Sequence, residues 1–255
     1  MAAAVFTGVG VALVTLFDDR GELDAPATAD LAARLVDLGM RAVVVAGTTG
    51  EAAALEAGER IALLEAVRRR VPLSVPVIAG TGAPSARQAA ALTRDAVERG
   101  ADAVLTLSPP GVADPRAYFD AVAKAAGGVP VLAYHYPKAA PPGIAVRFIG
   151  DLPVAGIKDS SGDAERLLHE LDRYEGAIYT GSSALLSFAG PLGCAGAILS
   201  LANAEPERCM RAFTGDVVAQ GSLSQPHLAA HESFPRGLKE MVAARFGTST
   251  VCRVA

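Results

Sequence analysis

The residue best suited to chemistry in this chain is Lys158, which follows the apolar run Val154-Ala155-Gly156-Ile157. Four of the 23 basic residues are lysines, namely Lys124, Lys138, Lys158 and Lys239, so a lysine at the end of such a run stands out. Burial disfavours the ammonium form, and a neutral amine can form an imine with a ketone. The alternative for this position is a strand-end lysine that snorkels to solvent or pairs with Asp159. Tyr134 closes another apolar run, residues 129–134, and leads into His135-Tyr136-Pro137. Its phenol can pass a proton to or from a substrate oxygen, or stand as a half-buried strand tyrosine. A third candidate is Gly47-Thr48-Thr49-Gly50-Glu51. Its backbone N–H groups and two hydroxyls suit a carboxylate or a phosphate, with a plain capping turn as the alternative.

The remaining polar motifs point elsewhere. The 47–51 turn lacks the Gly-Lys-Ser/Thr ending of a nucleotide loop, and Gly80-Thr81-Gly82 is too short for a dinucleotide fingerprint. His227 and His231 have i, i+4 spacing but no His-Glu-x-x-His pattern, which predicts a solvated helix face and no metal site. Lys124 and Lys239 lie on helical patterns and read as solvated surface. Ser182 and Ser183, after Gly181, either line a site or cap the next helix, with the cap favoured.

These candidates need elements to position them. Eight short apolar runs recur, at 9–16, 42–46, 75–79, 103–107, 129–134, 154–157, 177–180 and 197–201. They do not alternate polar with apolar, so they suit strands covered on both faces, the condition of a parallel sheet. Parallel strands need crossovers, and segments 24–38, 56–70, 85–99, 114–126, 163–174 and 205–219 supply helical periodicity. Asp24 ahead of Pro26, Asp114 ahead of Pro115, Ser85 and Asp163 are N-cap signals, while Gly39 and Gly100 mark helix ends. Eight β/α alternations without a composition break predict a single (β/α)₈ TIM barrel, residues 1–255, rather than a doubly wound sheet with a second domain. In such a barrel all active groups lie at the C-terminal ends of strands, which directs the three candidate segments to one mouth.

Length and composition agree with this. The 255 residues permit one or two domains, and 51% hydrophobic with 20% charged residues supports a large core. A net charge of −4 provides no basic field for nucleic acid or an anionic bilayer. Three cysteines, Cys194, Cys209 and Cys252, form neither a disulfide framework nor a zinc ribbon, which predicts a reducing cytoplasm. The apolar stretch 2–17 runs into Asp18-Asp19-Arg20-Gly21 and reads as a buried strand rather than a signal peptide or a membrane span.

Taken together, Gly47-Thr48-Thr49-Gly50-Glu51, Ala79-Gly80-Thr81-Gly82, Tyr134-His135-Tyr136-Pro137, Gly156-Ile157-Lys158-Asp159-Ser160-Ser161-Gly162 and Gly181-Ser182 resemble the motifs of the dihydrodipicolinate synthase and N-acetylneuraminate lyase superfamily of class I aldolases. The resemblance covers nearly the whole chain. It implies a pyruvate-like 2-oxo acid condensing with Lys158, without metal or cofactor, and an aldehyde as second substrate. Thr48 and Thr49 would hold the carboxylate, Tyr134 would transfer protons, and Thr48 joins Lys158 and Tyr134 in the catalytic set. Gly47, Gly181 and Ser182 would complete the substrate site.

Departures from the family narrow this expectation. Members that make dihydrodipicolinate carry a tyrosine in the turn after the fourth strand and an arginine shortly after the Tyr-x-x-Pro motif. Here those turns read Ser108-Pro109-Pro110-Gly111-Val112 and Pro137-Lys138-Ala139-Ala140-Pro141. The resemblance therefore favours a 4-hydroxy-2-oxoglutarate or 2-keto-3-deoxy sugar acid aldolase, with Lys138 as the substitute carboxylate partner. Dihydrodipicolinate synthase itself and a degenerate 2-oxo acid binding protein are the alternatives. The resemblance also implies a shortened C-terminal helical region from about residue 205 and a homo-oligomer, dimer or tetramer.

Overall fold

The computed structural model describes residues 4–254 and contains a closed barrel of eight parallel strands, paired in chain order with the last strand returning to the first. Strands β1 (Gly8–Ala12), β2 (Val43–Val45), β3 (Val77–Gly80) and β4 (Ala103–Leu107) form one half. Strands β5 (Val131–His135), β6 (Gly156–Asp159), β7 (Ala177–Thr180) and β8 (Gly196–Leu199) form the other. Side chains alternate between two apolar layers, which is why the runs are apolar throughout. Val44, Ile78, Leu105, Leu132, Tyr134 and Ile198 fill the barrel, whereas Val43, Val45, Val104, Ala133, Ile157 and Leu199 face the helices. Each fully buried aliphatic side chain contributes about 1.5–3 kcal/mol. Phe6 stacks on Tyr179 with ring centroids 4.7 Å apart, and the Tyr179 hydroxyl donates to the Phe6 carbonyl at 3.0 Å.

Helices α1 (Ala25–Asp37), α2 (Ala57–Arg70), α3 (Ala86–Glu98) and α4 (Arg116–Ala126) cover the first half of the barrel. Asp24 and Ser85 cap α1 and α3 by accepting from Ala27 and Gln88 N–H, and Gly39 and Gly100 follow those helices with φ of +106° and +87°. In the second half, α6 (Ala164–Arg173), capped by Asp163, lies between two four-residue helices, α5 (Val146–Ile149) and α7 (Leu186–Ala189). Four-residue helices carry no readable period, so the sequence does not announce them.

The C-terminal region differs from expectation. The predicted 205–219 helix is two, α8 (Pro206–Phe213) and α9 (Val217–Ser222), because Asp216 caps a new start by accepting from Ala219 N–H. Helices α10 (Ser224–Glu232) and α11 (Arg236–Phe246) follow. Lys239 on α11, expected on a solvated face, is wholly buried: Nζ donates to Glu51 Oε1 at 2.5 Å and to the Val251 carbonyl at 2.6 Å. Helical period identifies a face but not its partner, and here α11 turns that face toward the turn after β2. Lys124 is exposed as expected. Just beyond β8, Asn203 ties the barrel seam, donating to the carbonyls of Ala12 and Ser200 at 2.7 Å and accepting from Val14 N–H at 3.1 Å. No helix among the described residues is long and apolar enough to cross a membrane.

Candidate active site

Lys158 sits inside β6 rather than after it, since the strand runs two residues beyond the apolar stretch that announces it. Alternation then sends Lys158 and Asp159 to opposite faces. Lys158 stands in register with Tyr134 on β5 and Tyr179 on β7, and is 5% exposed. Its Nζ lies 4.1 Å from the centroid of the Tyr134 ring. No carboxylate among the described residues is within ion-pair distance of it, and burial alone brings its pKa from the usual 10.5 to about 7. Asp159 instead faces outward, accepting from Ser161 N–H at 2.7 Å and lying 3.5 Å from Arg166. The solvated or Asp159-paired alternative for Lys158 is thereby excluded.

Tyr134 is buried and stacked on Tyr136, with centroids 6.0 Å apart and planes 11° from parallel. Desolvation raises its pKa, while the neighbouring hydroxyls of Ser160 and Thr48 oppose that rise. Tyr134 thus joins two segments, Thr48 from the turn after β2 and Ser160 from the turn after β6. Ser160 has no role legible in the sequence beyond its place in the motif. The neighbouring His135 is structural: its Nδ1 accepts from Ile144 N–H at 2.8 Å, and burial pushes its pKa down to about 3.

The Gly47-Thr48-Thr49-Gly50 turn is bounded by two non-glycine residues in left-handed backbone, Ala46 at φ 51° and Glu51 at φ 56°. Each such residue costs roughly 1–2 kcal/mol, so the surroundings must hold the turn in shape. Thr15 does so from one side, its hydroxyl donating to the Gly50 carbonyl at 2.7 Å. Neither the Thr48 nor the Thr49 N–H donates to a backbone carbonyl among the described residues, which leaves two donors beside two hydroxyls for an anion. Thr49 is buried and Thr48 half-buried. Thr48 also lies on the edge of a cavity of about 840 Å³ that reaches Leu107, Ser108 and Pro110 after β4.

Gly181, after β7, leaves the space that Lys158 occupies. A Cβ there would collide with Ser160 Oγ and lie 3.0 Å from Lys158 Cε. Ser182 accepts from Ala184 N–H at 3.3 Å within the turn, but α7 starts after Leu185 with no side-chain cap, so the capping role expected of Ser182 and Ser183 is not found. Ser183 Oγ is 2.8 Å from His227 Nδ1, so His227 is half-buried against the turn after β7 while His231 is exposed. The expectation of a fully solvated histidine pair therefore fails for His227, which docks α10 onto the barrel mouth. Lys138 is exposed on the loop after β5, where its charge helps lower the pKa of both histidines. The structure thus gathers Thr48, Tyr134, Lys158, Ser160 and Gly181 into one cluster, places Gly47, Thr49 and Ser182 beside it, and leaves Lys138 at the rim.

The profile of the Dihydrodipicolinate synthetase family matches residues 5–244. An uncharacterized DapA-like lyase of Halobacterium salinarum is 38% identical over 210 residues, 78% of this chain and 68% of its own. A 4-hydroxy-tetrahydrodipicolinate synthase of Pseudomonas aeruginosa is 33% identical over 243 residues, 90% of this chain and 83% of its own. Among solved structures, a prophage protein of the dihydrodipicolinic acid synthase family from E. coli K12, crystallised in complex with pyruvate, has a TM-score of 0.92 at 26% identity and covers 99% of this chain and 93% of its own.

Proposed function

This chain belongs to the dihydrodipicolinate synthetase family of lyases, and we propose that it is a class I aldolase that forms a Schiff base between Lys158 and pyruvate or a related 2-oxo acid. The observation that carries the reading is a buried amine without a carboxylate partner, its pKa near 7, 4.1 Å from the ring of Tyr134. The neutral amine adds to C2 of the ketone, and the former carbonyl oxygen leaves as water after protonation through Tyr134. The resulting iminium draws electrons from C3. Loss of a C3 proton gives the enamine, which attacks the carbon of an aldehyde; the reverse sequence cleaves a hydroxy-2-oxo acid. Thr48 and Thr49 hold the carboxylate through their N–H groups and hydroxyls, and the Thr48 and Ser160 hydroxyls give Tyr134 partners for proton exchange.

Within this class the reading is a 4-hydroxy-2-oxoglutarate or 2-keto-3-deoxy sugar acid aldolase. Its support is that turns 108–112 and 137–141 contain neither tyrosine nor arginine. The second reading, dihydrodipicolinate synthase, draws on the names of relatives such as the Pseudomonas aeruginosa enzyme. Borohydride reduction in the presence of pyruvate, read by intact mass and peptide mapping, tests the shared step. A pyruvate adduct on Lys158, absent from Lys158→Ala, is expected, and turnover retained by that variant sinks the mechanism. Pyruvate release from hydroxy-2-oxo acids, set against pyruvate consumption with aspartate semialdehyde, then decides between the two. We further propose a cytoplasmic homo-oligomer, in keeping with the free thiols of Cys194, Cys209 and Cys252 and with exposed Leu168, Phe188 and Leu192 on the outer ring. Sedimentation equilibrium showing only monomer would refute the oligomer.

A further inference from the structure

The carboxylate turn is fastened from below by residues far away in the chain. Glu51, its last residue, holds a left-handed backbone, and its side chain is wholly buried. Its Oε1 accepts from Lys239 Nζ at 2.5 Å, and neither side chain has exposed surface. Its Oε2 accepts from the backbone N–H groups of Arg253 and Val254 at 2.7 and 2.9 Å. Lys239 also donates to the Val251 carbonyl at 2.6 Å and lies 4.5 Å from the Phe17 ring centroid. Arg253 anchors the same segment, donating to the Gly21 carbonyl at 2.6 Å and to both Glu59 oxygens at 2.6 and 2.7 Å. Residues 251–254 are thus drawn across the base of the turn and tied to the loops after β1 and β2.

A buried ion pair is a poor way to gain stability, because desolvation offsets the attraction and apolar residues of similar volume often do as well. It is a good way to hold one geometry, since both charges require their partners in place. Charge balance points the same way. A lone Glu51 carboxylate at the end of the turn would repel an anionic substrate, and Lys239 neutralises it.

We propose that Glu51 and Lys239, with the backbone of residues 251–254, form a positioning device that sets the Thr48–Thr49 turn to receive the carboxylate of the 2-oxo acid. The inference rests on the Schiff-base reading for its substrate. Glu51, Lys239 and Arg253 are positioning residues, for none of them reaches the reacting atoms.

The test pairs E51Q/K239M, which removes both charges together so that neither is left buried alone, with R253M, which loosens the strap from its partly exposed end. Pyruvate half-saturation is measured by borohydride trapping and, with no reductant present, by calorimetric titration, alongside Tm. The double variant is expected to reach the wild-type extent of trapping at saturating pyruvate, with half-saturation raised on the order of 10- to 100-fold. R253M should shift it in the same direction by a smaller factor. A purely structural role would lower Tm and leave half-saturation unmoved. Calorimetric affinity within twofold of wild type in the folded double variant overturns the inference, as does an unchanged R253M if the double variant does not fold. Wild-type protein that binds pyruvate in the calorimeter but is never trapped overturns the Schiff-base reading alone.

Discussion

Burial of Lys158 makes a quantitative prediction about when its amine reacts. With a pKa of about 7, roughly half of the amine is neutral at pH 7, whereas the usual value of 10.5 would leave about three molecules in ten thousand. The barrel interior thus raises the reactive fraction by about a thousandfold at neutral pH. The initial rate of pyruvate trapping with cyanoborohydride, followed by intact mass from about pH 5.5 to 9.5, should rise tenfold per pH unit on the acid side, bend near pH 7 and level off above about pH 8. Neither His135, pushed down to about 3 by burial, nor Tyr134, raised above its ordinary value by desolvation, supplies the bend near pH 7. A rate still climbing tenfold per unit through about pH 9 would refute the claim that desolvation supplies the nucleophile.

Three further outcomes follow from the same geometry. Tyr134→Phe keeps the ring beside Lys158 and the stack on Tyr136 but removes the hydroxyl that meets Thr48 and Ser160, so imine formation should slow by about 10²–10⁴-fold with the pH midpoint unchanged; stopped trapping assays read both. Gly181→Ala places a methyl group against Ser160 Oγ and Lys158 Cε, and should abolish trapping while circular dichroism shows an intact barrel; wild-type trapping would show that the space is not needed. Lys158→Met tests linkage. Because the folded pKa lies below the unfolded one, the unfolded chain binds more protons between about pH 7 and 10.5, so wild-type stability gains from this group as pH rises through that window and lacks the gain below it. The Tm advantage of Lys158→Met should therefore be largest below pH 7 and shrink toward pH 10, and a constant difference in scanning fluorimetry would contradict it.

The barrel was legible because its signals are local. Apolar runs without alternation announce two-sided burial, Asp24, Ser85 and Asp163 accept the N–H groups their positions suggest, and Gly39 and Gly100 end helices in the left-handed region. Lys158, Tyr134 and Thr48 could be singled out because each stands where an apolar run stops. What escaped the sequence spans longer separations. Lys239 carries the same helical pattern as a solvated lysine, and only its packing 188 positions from Glu51 makes it a buried ion. His227 meets Ser183 across 44 positions and so docks α10 onto the mouth. The breaks and short helices at 146–149, 186–189 and 214–216 depend on caps and packing of too few residues to produce a period.

The sequence by itself therefore determined that eight strands and their crossovers close into a barrel with a lysine, a tyrosine and a two-threonine turn at strand ends, because periodicity and capping are properties of neighbouring residues. Only the tertiary structure decided that the lysine faces inward without a counter-charge, that Ser160 and Thr48 meet the same phenol, and that the C-terminal segment fastens the carboxylate turn. Those outcomes depend on strand register, on which face of a helix turns inward and on the local absence of water, and such quantities exist only once distant segments are packed together.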